Sequence, residues 1–390
     1  MRRPLTTAAA LAAAALTAAP AQAAQPERAV QRAVAPLGKK VSVLVADAKS
    51  GKRIAAFRPA RRQSLGSTTK LLTAAAALRR LGPEARLTTE LIGPPPLGGV
   101  IAGDVVLRGG GDPLLDDAQL GALADQLAGV TLITGSIVGD ESRFDARRTG
   151  PSGDGVFDAE LGGPLSALAY RRGRAAPDGP VQADPARAAA ARFDDVLEAR
   201  GVTISGVPRA GAAPAGVDAI GGAQSAPMRT LTRAMLRPSD DWIAELLAKK
   251  LAPAPGSTAG GAAAIQAAAK ELGAKVALVD GSGLDPRDRG SAAALVAVLR
   301  RMARDRAFIA ALARPGRPGT LQDRLTSGRA KRACRGKTGT LPSGGVSALA
   351  GYCTTRKGRR LAFAVLARDV PVKKAQRAQD RVARALAATR

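Results

Sequence analysis

Five stretches of this 390-residue chain have the alternating, β-branched texture of strands, and they lie at its two ends. Residues 41–45 and 54–57 flank a turn at Ser50-Gly51-Lys52, while "RACRGKTGT", "VSALAGYC" and "RLAFAVLARDV" follow one another near the C-terminus. Joined in one five-stranded sheet covered by helices, they oblige the long middle of the chain to leave the sheet and return to it. The expected class is therefore α+β. Aromatic residues make up only 2% of the chain, so the core sealing such a sheet must be built from Ala, Val and Leu.

From about residue 88 the texture changes to short strands and turn signals, as in "IGPPPLGGVIAGDVVLRGGGDPLL" and "GVTLITGSIVGDESRFD". Only 117–127 and 185–200 carry helical periodicity before the turn-rich "GAAPAGVDAIGGAQSAP". Residues 88–224 are read as one or more small inserted β-rich domains, within a discontinuous domain made of 26–87 and 225–390. Helical periodicity returns at 228–251, 259–272 and 291–313, and a last helix is expected over about 372–389. That helix is basic and mildly amphipathic, which suits a membrane surface. Its apolar residues are mostly alanine, however, too weak an anchor, and packing across the sheet is the expected role. No internal repeat is evident.

The first residues, "MRRPLTTAAALAAAALTAAPAQAAQ", read as an export signal over 1–23: two arginines, an apolar Ala/Leu run, and Ala21-Gln22-Ala23 as a cleavage site. The apolar run is too short to span a bilayer, no other stretch comes close, and no early cysteine could carry a lipid. The expectation is a protein outside the cytoplasm, extracellular, wall-associated or periplasmic. A formal charge of +27 will draw such a surface to polyanions. Nucleic acid is not expected, because no interleaved aromatic platform is present; anionic wall polymers fit the compartment better. Cys334 and Cys353, the two cysteines, stand symmetrically about the turn-rich Leu341-Pro342-Ser343-Gly344-Gly345. In hairpin strands they would face each other, and a disulfide across the hairpin is expected rather than two buried thiols.

The chain has no histidine. A Ser-His-Asp triad, a His-activated cysteine and His-ligated zinc are all excluded, and no metal or organic cofactor is implied. Three short motifs remain. "GSTTKLLTAAAALRRLG" puts Ser67 at the head of a helix with Lys70 one turn on, which reads either as an ordinary N-cap or as a nucleophile beside its base. "RPSDDWIAELLAKKL" puts Ser239-Asp240-Asp241 at the start of another helix, good capping sequence in its own right. "GKTGT" puts Lys337 and Gly339 on one face of a strand, where glycine would leave room for a substrate backbone, and makes the Thr340 N–H a candidate oxyanion donor with that of Ser67. A lysine serves as base only when neutral, a state that burial and a second cation favour.

In the order Ser-x-x-Lys, Ser-Asp-x, Lys-Thr-Gly, these motifs are the signature of β-lactamases and penicillin-binding proteins. From about residue 38 to 370 the chain resembles the class C low-molecular-mass penicillin-binding proteins, the D-alanyl-D-alanine carboxypeptidase/endopeptidases. "GDVVLRGGGDPLL", "VGDESRFD", "GPLSALAY", "VDGSGLDPRDR" and "GKTGTLPSGGVSALAGY" carry the resemblance together with the first two motifs. It implies a transpeptidase-like domain, a five-stranded antiparallel sheet flanked by helices and interrupted by inserted domains. It also implies action on peptidoglycan stem peptides, with β-lactams as covalent inhibitors. Ser67 corresponds to the nucleophile, Lys70 to its base and Ser239 to a proton relay; Lys337, Thr338 and Gly339 match the carboxylate-binding motif, and Thr340 donates to the oxyanion.

Three positions depart from the family pattern. Asp241 stands where the family has Asn, and a carboxylate near Lys70 favours its ammonium form. Asp285 stands where serine is usual, in a loop taken to lie farther from the chemistry, and Leu65-Gly66 replaces Pro-Ala. An active enzyme requires Asp241 to be protonated or paired with an arginine. Otherwise the chain is a degenerate member that binds wall peptides or anionic polymers, and a β-lactamase is the remaining alternative.

Overall fold

The strands from the two ends of the chain do meet. The computed structural model describes residues 24–151, 153, 159–341 and 344–390. The expected export signal, residues 1–23, lies outside them, as do Pro342 and Ser343. In chain order the described residues open with α1 (Ala24–Val34), β1 (Val41–Asp47), β2 (Arg53–Phe57) and α2 (Lys70–Arg80). The middle contributes β3 (Thr88–Ile92), β4 (Val105–Arg108), α3 (Asp117–Asp125), β5 (Ile137–Asp140), α4 (Pro185–Glu198), β6 (Arg209–Ala210) and β7 (Ala219–Gln224). Then come α5 (Met228–Leu236), α6 (Asp241–Leu251), α7 (Thr258–Glu271), α8 (Ala292–Arg301), β8 (Cys334–Leu341), β9 (Val346–Thr354), β10 (Arg360–Ala367) and α9 (Val372–Ala388).

β8, β9, β10, β1 and β2 form, in that order, a five-stranded sheet whose neighbours all pair antiparallel. Its two faces differ because side chains alternate along each strand. Val41, Val43, Val45, Phe363 and Val365 face one way and pack with Val30, Val34, Ala378, Val382 and Leu386 of α1 and α9. The apolar side of α9 is therefore spent on the sheet rather than left for a membrane. Ala46, Ala348, Ala350, Ala362 and Ala364 face the other way, toward α2, α5, α6 and α8. Small side chains on this face let α8 lie close on β1, β9 and β10, and the fully buried run Ala74–Ala77 lets α5, α6, α7 and α8 close around α2. This is how a core almost without aromatics reaches native density.

The middle segment builds a second, mixed sheet in the order β6-β5-β4-β3-β7, with β6, β5 and β4 parallel and β3 antiparallel to both its neighbours. Leu91, Val105, Leu107, Ile137, Phe193 and Leu197 make a core of their own beneath it with α3 and α4. Phe144, Leu161, Leu165 and Ala167 instead join the core around α2 and α6, so the segment is fastened to the helical layer.

Two helical stretches expected to be continuous are broken. Residues 228–251 divide into α5 and α6, because Ser239 takes a left-handed conformation (φ 71°) and Asp240, with its carboxylate accepting from the Ile243 N–H, starts a new helix. Residues 291–313 divide at 302–305, where Asp305 caps a short helix, Arg306–Ala311.

Cys334 and Cys353 are directly opposite in the β8/β9 register and joined by a disulfide. The bond closes a loop of sequence separation 19, which in the chain-entropy account contributes about 3 kcal/mol. Replacing both cysteines with alanine is expected to lower the unfolding free energy by about that amount in urea titrations. A loss under about 1 kcal/mol would mean that the hairpin register already holds the ends together.

Candidate active site

Ser67 lies in a single 3₁₀ turn, Gly66–Thr69, that runs into α2. It is not the side-chain cap of that helix: Leu65 and Thr69 occupy the capping positions, and neither makes a side-chain cap. Ser67 is half-buried, and among the described residues its hydroxyl makes no hydrogen bond. Lys70 follows one turn later, fully buried. The turn packs directly on β8: a side chain at Gly339 would meet the Leu65 carbonyl at 2.8 Å and the Ser67 N at 3.2 Å. The space that glycine leaves there is therefore filled by the turn itself and not reserved for a substrate backbone, as expected from sequence.

β8 is an edge strand, and the Gly336 N–H points outward to the Ala313 carbonyl at 3.0 Å. Backbone direction repeats every second residue, so the Thr338 and Thr340 N–H groups point to the same open edge. A side chain at Gly66 would lie 3.3 Å from the Thr340 N. Thr340 and the Ser67 turn therefore flank one spot, the arrangement that two oxyanion donors require.

Lys337 projects from β8 with no solvent exposure, donating to the Ser239 hydroxyl at 2.6 Å and to the Thr338 carbonyl at 2.8 Å. Burial first, and then the charge of Lys70, push its amine well below the ordinary lysine value, against the pull of Asp241. Lys70 donates to Asp241 Oδ1 at 2.5 Å and to the Ser282 carbonyl at 2.7 Å. Burial raises the Asp241 carboxyl above the ordinary aspartate value, although Lys70 and Lys337 pull it down. All eight residues singled out as catalytic or substrate-binding thus belong to one cleft between the Ser67 turn, the head of α6 and the edge of β8. The arginine suggested as partner for Asp241 goes to its neighbour instead: Arg172 pairs with Asp240.

The loop 279–289, expected farther from the chemistry, instead touches both Lys70 and the Ser67 turn. Its Ser282 carbonyl holds Lys70, and a side chain at Gly283 would strike the Gly66 carbonyl. Buried acids hold this loop in place. Glu245, one helical turn beyond Asp241 on α6, accepts from the Gly281 and Ser282 N–H groups at 3.0 and 2.7 Å. Asp280 accepts from the Gly283 and Asp285 N–H groups, and Asp288 from Val279 N–H and the Thr69 hydroxyl. Asp285 itself forms a fork with Arg287. A helix spacing of four between Asp241 and Glu245 was the signal available in sequence; the loop's approach to Lys70 depends on tertiary packing and left none.

The inserted segment also reaches the cleft. Arg172, at φ 64°, stacks 5.1 Å from the Trp242 ring centroid while pairing with Asp240, and Trp242 Nε1 donates to the Pro164 carbonyl at 3.1 Å. Together these contacts fix the first turn of α6, and with it Asp241. Among the described residues no group of acids and cysteines could hold a metal ion, and no helix is long and apolar enough to cross a membrane.

The sequence model of the D-Ala-D-Ala carboxypeptidase 3 (S13) family matches residues 27–164 and 171–389, nearly the whole described chain. The chain belongs to this family. It is 31% identical over 335 residues to the carboxypeptidase DacB of Mycolicibacterium smegmatis, covering 78% of this chain and 71% of that one. It is 26% identical over 423 residues to a D-alanyl-D-alanine carboxypeptidase of Actinomadura, covering 84% and 78%. Among solved structures it resembles penicillin binding protein 4 (dacB) of Haemophilus influenzae, with TM-score 0.77, 21% identity and coverage of 91% and 97%. A complex of that protein with a novel β-lactam gives TM-score 0.73. The fold is thus the penicillin-binding fold, in its low-molecular-mass form.

In this family member the loop that supports Lys70 carries its own pH dependence. Burial, then the neighbouring Asp280 charge, raises Glu245 to about 8, and its Oε2 has no partner among the described residues. The ordinary glutamate value is 4.5, so between the two values the folded state holds a proton that the unfolded chain has released. Stability therefore falls as pH rises through that window. Asp288, raised to about 9 by burial and by Asp280, acts in the same direction. Glu245→Gln keeps an acceptor for both N–H groups and removes one titration, so it should flatten the decline without abolishing it. Urea unfolding at about pH 5 and pH 8.5 measures this, and a decline as steep as in the parent would refute the assignment to Glu245.

Proposed function

We propose that this chain is an exported serine-type D-alanyl-D-alanine carboxypeptidase/endopeptidase acting on peptidoglycan stem peptides through an acyl-enzyme on Ser67. The observation that carries the reading is the convergence of Ser67, Lys70, Ser239 and Lys337 on one cleft beside an open strand edge. A peptide lying along β8 in extended form would bond to the outward backbone groups of Thr338 and Thr340. Its terminal carboxylate would meet Lys337 and the Thr338 hydroxyl.

The Ser67 oxygen attacks the carbonyl carbon of the penultimate D-alanine while its proton passes to neutral Lys70. The developing oxyanion is met by the Ser67 and Thr340 N–H groups. The C–N bond then breaks, and the leaving amine takes a proton delivered through Lys70 and the Ser239 hydroxyl. Water releases the acyl group by the same route. A β-lactam would enter as the acyl donor, its amide opening onto Ser67.

Asp241 makes the proton inventory of this cleft unlike that of an asparagine. For Ser67 to lose its proton to Lys70, the proton in the Lys70–Asp241 contact must reside on Asp241, and burial favours that form. The same 2.5 Å contact favours a second reading, in which an ion pair keeps Lys70 as ammonium and the protein binds wall peptides without turnover.

One experiment separates the two. Intact mass after incubation with benzylpenicillin is expected to show a long-lived adduct in the parent, none in Ser67→Ala, and one in Asp241→Asn whose formation follows a different pH profile. An adduct in Asp241→Asn alone would make binding the function. Rapid penicillin turnover would point to a β-lactamase.

A further inference from the structure

A cavity of about 930 Å³ opens at the end of the main sheet opposite to Thr340. Lys49 of the β1–β2 turn, Arg300, Arg301 and Arg304 at and beyond the C-terminal end of α8, and Arg359 and Arg360 at the β9–β10 turn line it. None of these residues belongs to the Ser67 cleft. Six cations face one carboxylate, Asp47, in a chain that carries 59 basic and 32 acidic residues.

That carboxylate is already committed. Asp47 Oδ1 accepts from the Lys49 N–H, the Ser50 N–H and the Ser50 hydroxyl, and Oδ2 lies 3.4 Å from Arg359 Nε. Lys49, Arg300, Arg301 and Arg304 are exposed, and among the described residues none of them has an ion-pair partner. Arginines elsewhere are commonly neutralised, as Arg108 and Arg143 are by Glu90, Arg192 by Asp117 and Arg324 by Asp380. Part of the cluster is also held in place. Arg360 donates to the Ala303 carbonyl and lies 5.7 Å from the Tyr352 ring centroid, and the Arg300 guanidinium fills the space that a side chain at Gly51 would need.

Several unpaired guanidinium groups around one concavity repel one another until an anion enters. Five of the six cations are arginine, whose planar fork suits phosphate oxygens two at a time. The cavity is larger than a lone phosphate needs and is of the size that holds extended ligands. It offers no aromatic face on which bases could stack, since Tyr352 is buried behind Arg360. It offers no apolar rim for a membrane either: among the described residues the exposed large hydrophobics, Leu97, Leu114, Val207 and Val217, all lie in the inserted segment. We propose that this cavity binds a chain of polyol phosphodiesters, successive phosphates engaging Arg300, Arg301, Arg304 and Arg359. Such a chain would tether the protein to an anionic polymer with the Ser67 cleft facing away from the point of attachment. The proposal is independent of whether Ser67 is catalytic.

The test is calorimetric titration of the purified protein at physiological salt with a synthetic glycerol-phosphate hexamer. Oligothymidylate of equal charge, orthophosphate and phosphatidylglycerol vesicles are titrated in parallel. The triple variant Arg300→Ala/Arg301→Ala/Arg304→Ala is compared with Lys373→Ala/Lys374→Ala/Arg377→Ala, which removes the same charge from the exposed side of α9. Binding of the hexamer should weaken at least tenfold in the first triple and less than threefold in the second, with a shallower salt dependence in the first. Arg301→Glu alone should weaken it in the same direction, and benzylpenicillin acylation should be unchanged throughout. Equal losses in the two triples would reduce the effect to net charge and overturn the site. Tighter binding of oligothymidylate or of vesicles, or no hexamer binding in the parent, would overturn the ligand class.

Discussion

A lysine amine sealed from solvent must find its acceptors within the protein, and the arrangement around Lys70 follows from that requirement. Its two partners come from elements far apart in sequence: Asp241 at the head of α6 and the Ser282 carbonyl in the loop 279–289. Each is itself held. Arg172 and Trp242 pin the first turn of α6 to the inserted segment, while Glu245, from the same helix, holds the loop through its N–H groups. The Thr69 hydroxyl closes the circuit by donating to Asp288. Displacing any one of these contacts would leave a buried polar group unpaired, a penalty of about 1–3 kcal/mol.

The same closeness explains the composition. Glycines at 66, 283 and 339 sit where the Ser67 turn, the loop and β8 touch backbone to backbone, and a methyl group at Gly283 or Gly339 would collide. Behind them, alanines on α2 let the neighbouring helices close around it, and alanines on one face of the sheet let α8 lie close on β9, the neighbour of the strand that carries Lys337. A core of larger side chains would push these layers apart. Scarcity of aromatics is thus compatible with a rigid site, because precision here comes from close backbone approach and not from large anchors.

Much of this was legible before any coordinates. The five strands declare themselves by alternation, and their separation to the two chain ends forces an interrupted domain; the helices 117–125, 185–198 and 258–271 lie within a few residues of their periodic patterns. The three motifs identify the residues of the cleft. What sequence withholds is distance. Ser239 at φ 71° breaks a helical pattern that periodicity alone runs through, in a left-handed conformation that its surroundings, including the Lys337 bond to its hydroxyl, must hold. The loop around Ser282 is unremarkable as a string of turn residues, and its role depends on Glu245 reaching it across a helix face. Arg172 could not be assigned to Asp240 by spacing, since its whole significance lies in how the inserted segment docks.

The carboxyl at Asp241 draws its meaning from these contacts. An amide at that place would donate and accept hydrogen bonds but could not take a proton. A carboxylate there adds a third titratable group to a buried cleft that already holds two amines. Burial acts on the members in one direction: it drives Lys337 toward the neutral amine and Asp241 toward the neutral acid. Each shift lowers the number of charges that must be kept out of water, which is the costly quantity in such a site. The 2.5 Å contact between Lys70 and Asp241 thus joins an amine to a carboxyl whose neutral form burial favours. On the proposed reading, placing that proton on the carboxyl, the form that burial of Asp241 favours, leaves Lys70 able to accept from Ser67.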